Sequence, residues 1–458
     1  MRAPTLVALL CLSGCSLGNP TRDDCQTSAQ CRSVFGGGFY CDTETGLCES
    51  AITPTCPELF PAEAANDPEA IVIGTIFDRT SPNQLAREKA ARLAVSALDE
   101  RSGIDGRLVA LLHCDTSVAP ATDAADHLIR AGVPAIVGPS SSSNVEAVFA
   151  SHRDDGVLVI SPSATATQLG GIDPGTPGLL WRTAPPDNLQ ADVIIQELVD
   201  AGATTVGIVT RQNDTYGQSL SVLVQMRAAP AGITIGATPQ FADVPAIAGA
   251  ASAVVEGTRP DGVLFISSQV ADAAAFLDAA AGNATYDGLP IFLPDAAANE
   301  DLFTRTTSGS ARFGQVRATR PSAPDTIITN EFVSNYMAAN GGENPLSFSF
   351  TAHAYDATAL VLLGAGYALG DSDELTGQGI AEGINRMSGT GTPRALLGSN
   401  FLSIIEELRS APDPIDVVGA SGPLDYGPDE ELTSAIYDVL DIDTAGPSFR
   451  VVRTRAAP

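Results

Sequence analysis

From Ala70 onwards the chain alternates short, wholly apolar runs with longer amphipathic stretches. An apolar run without alternation marks a strand buried on both faces, and apolar positions three and four apart mark a helix lying over it. The pattern predicts strands over 71–77, 108–113, 135–137 and 157–160, separated by helices over 83–100, 119–131 and 143–153. After Trp181 to Asp187 it restarts, with helix 188–202, strand 205–210, helix 216–229, strand 233–235, helix 244–256, strand 262–266, helix 270–281 and strand 290–293. Strands alternating with helices build parallel, helix-covered sheets, so an α/β fold of two lobes in tandem is expected. Residues 325–410 are mainly helical in pattern (330–340, 352–369, 375–387 and 402–409), and such helices need a sheet to cover. The segments 417–426, 434–440 and 449–452 are strand-like but too short for a domain, and are expected to extend an earlier lobe.

Residues 1–69 break this rhythm. Arg2 precedes an apolar stretch from Leu6 to Leu12, too short for a bilayer and followed by small residues, which is the layout of a secretory signal. It ends in Leu12-Ser13-Gly14-Cys15, which resembles the bacterial lipobox. Residues 1–14 are therefore read as a lipoprotein signal peptide, Cys15 as the lipidated residue, and the lipid anchor as the sole contact with a membrane. With Cys11 lost and Cys15 acylated, Cys25, Cys31, Cys41, Cys48, Cys56 and Cys114 remain, an even set that reads as disulfides in an exported chain. Residues 25–48 are too few and too polar to fold without two bridges, whose pairing the spacing leaves open. Cys56 and Cys114 are left over and are expected to pair. Loose spacing, no nearby histidine and an oxidising compartment argue against a metal in this module. Residues 15–68 thus read as a lipid-anchored Cys-rich module followed by a linker rich in Pro, Ala and acid.

Composition narrows the function further. At roughly 150 residues per domain, 458 residues allow two to four units. Hydrophobic residues make up 44%, yet no run approaches the ~18 to 20 apolar residues of a membrane span. Lys+Arg 25 against Asp+Glu 54 leaves a net charge of -29, which repels phosphate backbones and excludes nucleic acid as a partner. The single lysine, Lys89, belongs to no phosphate loop and to no SxxK pair. The four histidines, His113, His127, His152 and His353, stand apart from one another, and neither GxSxG nor HExxH occurs. No set of nucleophile, base and orienter assembles, so the chain is read as non-enzymatic, with no metal and no cofactor.

Six segments carry a family resemblance: GVPAIVGPSSSSNVEAV (132–148), VLVISPSATATQL (157–169), WRTAPPDNLQA (181–191), VGIVTRQNDTYGQSL (206–220), AYDATALVLLGA (354–365) and SGPLDYGPD (421–429). In this order, from about Glu69 to the C-terminus, they resemble the type 1 periplasmic binding proteins of the leucine/isoleucine/valine-binding group. The resemblance implies two Rossmann-like lobes with parallel-sheet cores, joined by three hinge crossovers near 182–186, 310–315 and 419–422. Lobe 1 would cover 69–184 and 315–419, and lobe 2 would cover 185–314 and 420–458.

In open α/β sheets ligands gather beyond the carboxyl ends of strands, where helix N-termini present free N–H groups. Gly138 to Asn144 is such a junction, with glycine for close approach and serines for hydroxyls and caps, although the residues alone favour a plain helix cap with no ligand. The resemblance implies that Ser141 or Ser142 holds the ligand carboxylate, with Thr165, and that Ser163 meets the amino group. It implies that Tyr216 closes over the ligand from the second lobe and that Asp295 pairs with the ammonium, although Asp295 could instead cap a helix over 296–303. Two family aromatics fall at polar residues here, Asn83 or Gln84 and Ser268 or Gln269, so an amino-acid-like or small polar ligand is expected more than leucine itself. Asp78 and Arg79 follow the first strand and point towards the cleft, where they could read additional ligand charge, although surface ion pairing is the commoner fate of such residues. The whole reads as a solute-binding lipoprotein of the cell envelope, on the periplasmic side or cell surface, that closes on a small ligand for an ABC permease. The alternative is an envelope-tethered sensor or receptor domain without a transporter.

Overall fold

Every residue of strand Ile71–Phe77 is buried, as an apolar run without alternation requires. In the computed structural model, which describes residues 25–372, 374–427 and 429–457, this strand lies inside a six-stranded sheet. The signal segment and the lipidation expected at Cys15 lie outside the described residues. The strand order is Glu58–Phe60, Val109–Asp115, Ile71–Phe77, Ala135–Val137, Leu158–Ser161 and Leu180–Arg182. All neighbours are parallel except Glu58–Phe60, which runs antiparallel along Val109–Asp115. Helices Pro82–Asp99, Thr351–Asp371, Gly377–Asn385 and Phe401–Ser410 bury one apolar cluster on one face. Ala121–Arg130 and Ser142–His152 bury another on the opposite face.

A second sheet of eight strands has the order Thr234–Ile235, Thr205–Arg211, Gly262–Ile266, Ile291–Leu293, Val316–Pro321, Ala435–Asp443 and Ser448–Ala457, with Gln240–Phe241 also paired to Thr205–Arg211. The last two strands form an antiparallel hairpin against an otherwise parallel sheet. The architecture is thus two Rossmann-like lobes with parallel cores. Among the described residues no helix is long and apolar enough to cross a membrane.

Two expected boundaries need correction. Val316–Pro321 belongs to the second lobe, between Ile291–Leu293 and Ala435–Asp443, not to a first-lobe segment 315–419. Its sequence VRATRP offers no apolar run; instead Arg317 meets Asp441 at 3.0 Å and Arg320 meets Asp438 at 3.7 Å across the strand pair. The crossovers accordingly fall at 183–186, 322–326 and 424–434. The expected linker also carries structure, because Glu58–Phe60 is an edge strand and Cys56 is bonded to Cys114.

Within the N-terminal module, Cys25–Cys41 and Cys31–Cys48 staple helix Ser28–Phe35 to the hairpin of Phe39–Asp42 and Leu47–Ser50. Cys25, Cys31 and Cys48 lie close together, but all three sulfurs are bonded in disulfides and offer a metal no thiolate. The module rests on the first lobe. Arg32 Nη2 donates to Ala131 O at 2.9 Å, His127 Nε2 meets Ala51 O at 2.7 Å, and Tyr40 stands edge-on to the His127 ring.

Candidate functional site

Strand Ala135–Val137 ends at Gly138, whose φ of 103° is left-handed and whose missing side chain leaves room for Ile76 O, which a Cβ would meet at 2.4 Å. This close approach carries the serine run to the head of helix Ser142–His152. Ser141 is the N-cap, its Oγ accepting the Asn144 N–H at 3.3 Å. Ser142 Oγ accepts the N–H groups of Thr165 and Ala166, each at 3.2 Å, and so ties the two serine junctions together. Ser140 Oγ is buried and has no hydrogen-bond partner among the described residues. In the second junction Ser161 Oγ donates to Pro139 O at 2.7 Å and accepts the Ala164 N–H at 3.1 Å. Arg182 fastens the turn from beneath, donating to Ala164 O and Ala166 O while pairing with Glu431 at 2.5 Å.

On the second lobe, Asp214 ends the loop after Thr205–Arg211 and accepts the Ser268 N–H at 2.7 Å. Two residues on, Tyr216 donates its O–H to the Asp295 carboxylate. Asp295 is 2% exposed. The Gln190 amide completes its surroundings in the orientation that satisfies both its atoms, with the nitrogen donating to Asp295 Oδ1 at 3.0 Å and the oxygen accepting the Asp295 N–H at 3.1 Å. Burial pushes the Asp295 carboxyl above its usual range, against the pull of the Tyr216 and Gln190 hydrogen bonds and of Arg87. The helix expected over 296–303 is replaced by a single turn, Asp295–Ala297, and a separate helix, Asp301–Arg305. Asp187, at the first crossover, is wholly buried; its carboxylate faces the Thr165 and Ser219 hydroxyls without a well-formed hydrogen bond among the described residues, and burial pushes it up to about 7.

Between the walls lies a cavity of about 390 Å³, lined by Ser140, Ser141, Ser142, Ser163, Tyr216 and Asp295 among others. Thr165 is buried beneath the wall and does not line it. Asn83, Gln84, Ser268 and Gln269 do, so the positions expected to be polar instead of aromatic face the cavity. The lobes meet across its rim, where the Thr215 N–H donates to Ser143 Oγ at 3.2 Å and Thr215 Oγ1 to Glu146 at 2.8 Å.

Of the two residues that follow the first strand, Asp78 lines the cavity and Arg79 is ion-paired away from it. Arg79 turns away from the cleft, its Nε donating to Glu88 at 2.9 Å and its Nη2 to Glu58, because those two carboxylates lie beneath it. Arg87 lines the cavity in its place, with Nη1 on Ser163 Oγ at 2.9 Å and Nε on Ser349 O at 3.1 Å. Ser163 Oγ in turn donates to Ser140 O at 2.8 Å. Burial brings the Arg87 guanidinium down to about 10. Arg87 lies on the buried stripe of its helix with Ala90, Ala91, Ala94 and Leu98, and a cation inside an apolar stripe is the signal by which the sequence could have shown it. Gln190 offers no comparable signal. The cleft therefore sets hydroxyls, helix-end N–H groups, the Arg87 guanidinium and the Asp78 carboxylate on one wall against Asp295, Asp301 and Arg305 on the other, an arrangement suited to holding a small polar molecule.

Comparison with known proteins places these features in context. A family model described as periplasmic binding protein matches residues 70–403. The chain is 27% identical over 384 residues, 81% of its length and 85% of the relative's, to the chemotactic signal transduction system substrate-binding protein BasB of Halobacterium salinarum. It is 28% identical over 149 residues, 32% of its length and 39% of the relative's, to the leucine-, isoleucine-, valine-, threonine- and alanine-binding protein of Pseudomonas aeruginosa. Among solved structures, the branched-chain amino acid transporter substrate-binding protein LivJ of Streptococcus pneumoniae, in complex with isoleucine, superimposes with a TM-score of 0.65 at 19% identity, covering 84% of this chain and 99% of that one. A periplasmic binding protein type 1 from Bordetella pertussis gives 0.66 at 17% identity, over 83% and 99%. At these identities the superpositions establish a shared fold.

Proposed function

The chain belongs to the periplasmic binding protein family, and from that premise we propose that it is a solute-binding lipoprotein whose two lobes close on a small amino-acid-like ligand. The observation that carries this reading is the cavity with a donor-rich first-lobe wall and the buried Asp295 carboxylate opposite. In this reading the serine junction takes a ligand carboxylate through the Ser141 and Ser142 N–H groups and the Ser140 hydroxyl, Asp295 takes the ammonium, and Tyr216 covers the ligand while orienting Asp295. The protein is anchored outside the cytoplasm through Cys15 and hands its ligand to an ABC permease. Calorimetric titration with a panel of amino acids tests the ligand class, and a chain that binds none of them overturns it. Cys15→Ala is expected to release the protein from membrane fractions; a variant that stays membrane-bound overturns the anchor.

A second reading, an envelope-tethered receptor without a transporter, is favoured by one observation: the match to the chemotactic substrate-binding protein extends over 384 residues. Uptake of the radiolabelled ligand in cells lacking this protein separates the two. Lost uptake supports delivery to a permease, and unchanged uptake with a lost behavioural or signalling response supports the receptor.

A further inference from the structure

Arg87 is 6% exposed, yet among the described residues its side-chain hydrogen bonds go to neutral partners only, the Ser349 carbonyl and the Ser163 hydroxyl. Phe350 lies against the guanidinium, 5.3 Å from Cζ to the ring centroid. Nη2 makes no hydrogen bond to the described residues, and the side chain borders the cavity. A buried cation without a counter-charge is strongly disfavoured, and such a group persists where a bound anion completes it. The charge that acts on it across the cavity, Asp295, is held by Tyr216 and Gln190.

Two further points of the cavity select charge. The serine junction combines the head of an 11-residue helix with the Ser140 hydroxyl, which is buried, faces the cavity and has no partner among the described residues. That junction suits an anion. Asp295 suits a cation. A ligand with one carboxylate and one ammonium satisfies the serines and Asp295 and leaves Arg87 unmatched. The side walls at Asn83, Gln84, Ser268 and Gln269 are polar, so the cleft has little apolar surface there for a branched aliphatic side chain.

We infer that the ligand is an α-amino dicarboxylic acid, of the glutamate or aspartate class, whose second carboxylate is held by Arg87. The inference rests on the zwitterion reading of the cleft and adds the third group. Arg87 is then the residue that sets specificity, prealigned by Ser163, Ser349 and Phe350 for a bidentate contact with the carboxylate.

The test is calorimetric titration of the full chain with L-glutamate, L-aspartate, L-glutamine and L-leucine, for the natural protein and for Arg87→Met, with circular dichroism to verify folding. The natural protein is expected to bind at least one acid more tightly than glutamine or leucine. Arg87→Met is expected to lower the ratio of acid to glutamine affinity by about 10- to 150-fold, the loss of one charge-assisted contact. Should Arg87→Met fail to fold, Arg87→Lys, which keeps the charge and loses the fork, reads the same ratio and is expected to lower it less. Glutamine or leucine bound as tightly as the acids overturns the inference while leaving the zwitterion site standing, as does an acid preference that survives loss of the guanidinium. Failure of all four to bind overturns both.

Discussion

Asp295 is a buried carboxyl group whose side-chain hydrogen-bond partners among the described residues, Tyr216 and Gln190, are neutral. Burial works against its ionised form, so a ligand ammonium would stabilise the carboxylate more than it would at an exposed site. A hydrogen bond to a charged group contributes about 1.5 to 3 kcal/mol, so Asp295→Asn is expected to weaken amino-acid binding roughly 10- to 150-fold by calorimetry. The melting temperature of the ligand-free variant is not expected to fall, because the same substitution removes a carboxyl group whose ionised form burial disfavours. Gly138 makes a different demand, steric and not electrostatic. An added Cβ would meet Ile76 O at 2.4 Å and would force a left-handed φ on alanine. Gly138→Ala is expected to cost about 1 to 3 kcal/mol in thermal unfolding and to weaken binding as well, because the displaced loop carries Ser140 and Ser141.

The edge of the first sheet shows how a short, polar segment becomes an element. Glu58–Phe60 has three residues and no alternation to announce it, yet it pairs with Val109–Asp115 and is fastened beside the Cys56–Cys114 bridge. Glu58 also bonds Arg79 and Arg92, chiefly the latter, which holds its carboxyl down at about 2. That contribution is present above the ordinary carboxylate range and is lost as pH falls towards 2, and it is reduced by solvent because Glu58 is partly exposed. The bridge contributes more. A separation of 58 residues corresponds to ~4 kcal/mol in the chain-entropy model. The double variant Cys56→Ala/Cys114→Ala is expected to melt at lower temperature and to lose amide protection at Glu58–Phe60 while keeping it in Val109–Asp115. Equal protection in both strands would show that the strand pairing holds without the bridge.

Across the whole molecule, the lobes are coupled at the first crossover, where second-lobe Asp187 lies against first-lobe Thr165. The folded protein holds this carboxyl at about 7, above its ordinary 3.8, so the native state keeps a proton that the unfolded chain releases. Its stabilisation is complete below about pH 4 and is lost as pH rises through about 7. The buried imidazoles of His113 and His353, pushed down by burial to about 4 and about 3, act in the opposite sense and lose stability as pH falls below their ordinary 6.5. Asp187→Asn isolates the first effect. Melting temperatures from about pH 4 to 8 are expected to fall for the natural protein relative to the variant as pH rises, and a pH-independent difference would reject the assignment. The contrast between legible and hidden features has the same origin as this coupling. Local periodicity shows which face of a segment is buried, so Ile71–Phe77 and Gly262–Ile266 carry their boundaries in their own residues, and glycine and serines mark the junction from Gly138 to Asn144. It does not show which distant segment does the burying. Val316–Pro321 becomes a strand because Ile291–Leu293 and Ala435–Asp443 pair with it on either side, Arg79 leaves the cleft because Glu58 and Glu88 draw it away, and Arg87 and Gln190 join the site because folding turns them inward. Burial on a repeating face is a property of the segment itself, whereas a charge or an amide takes its role from the partner that folding sets opposite it.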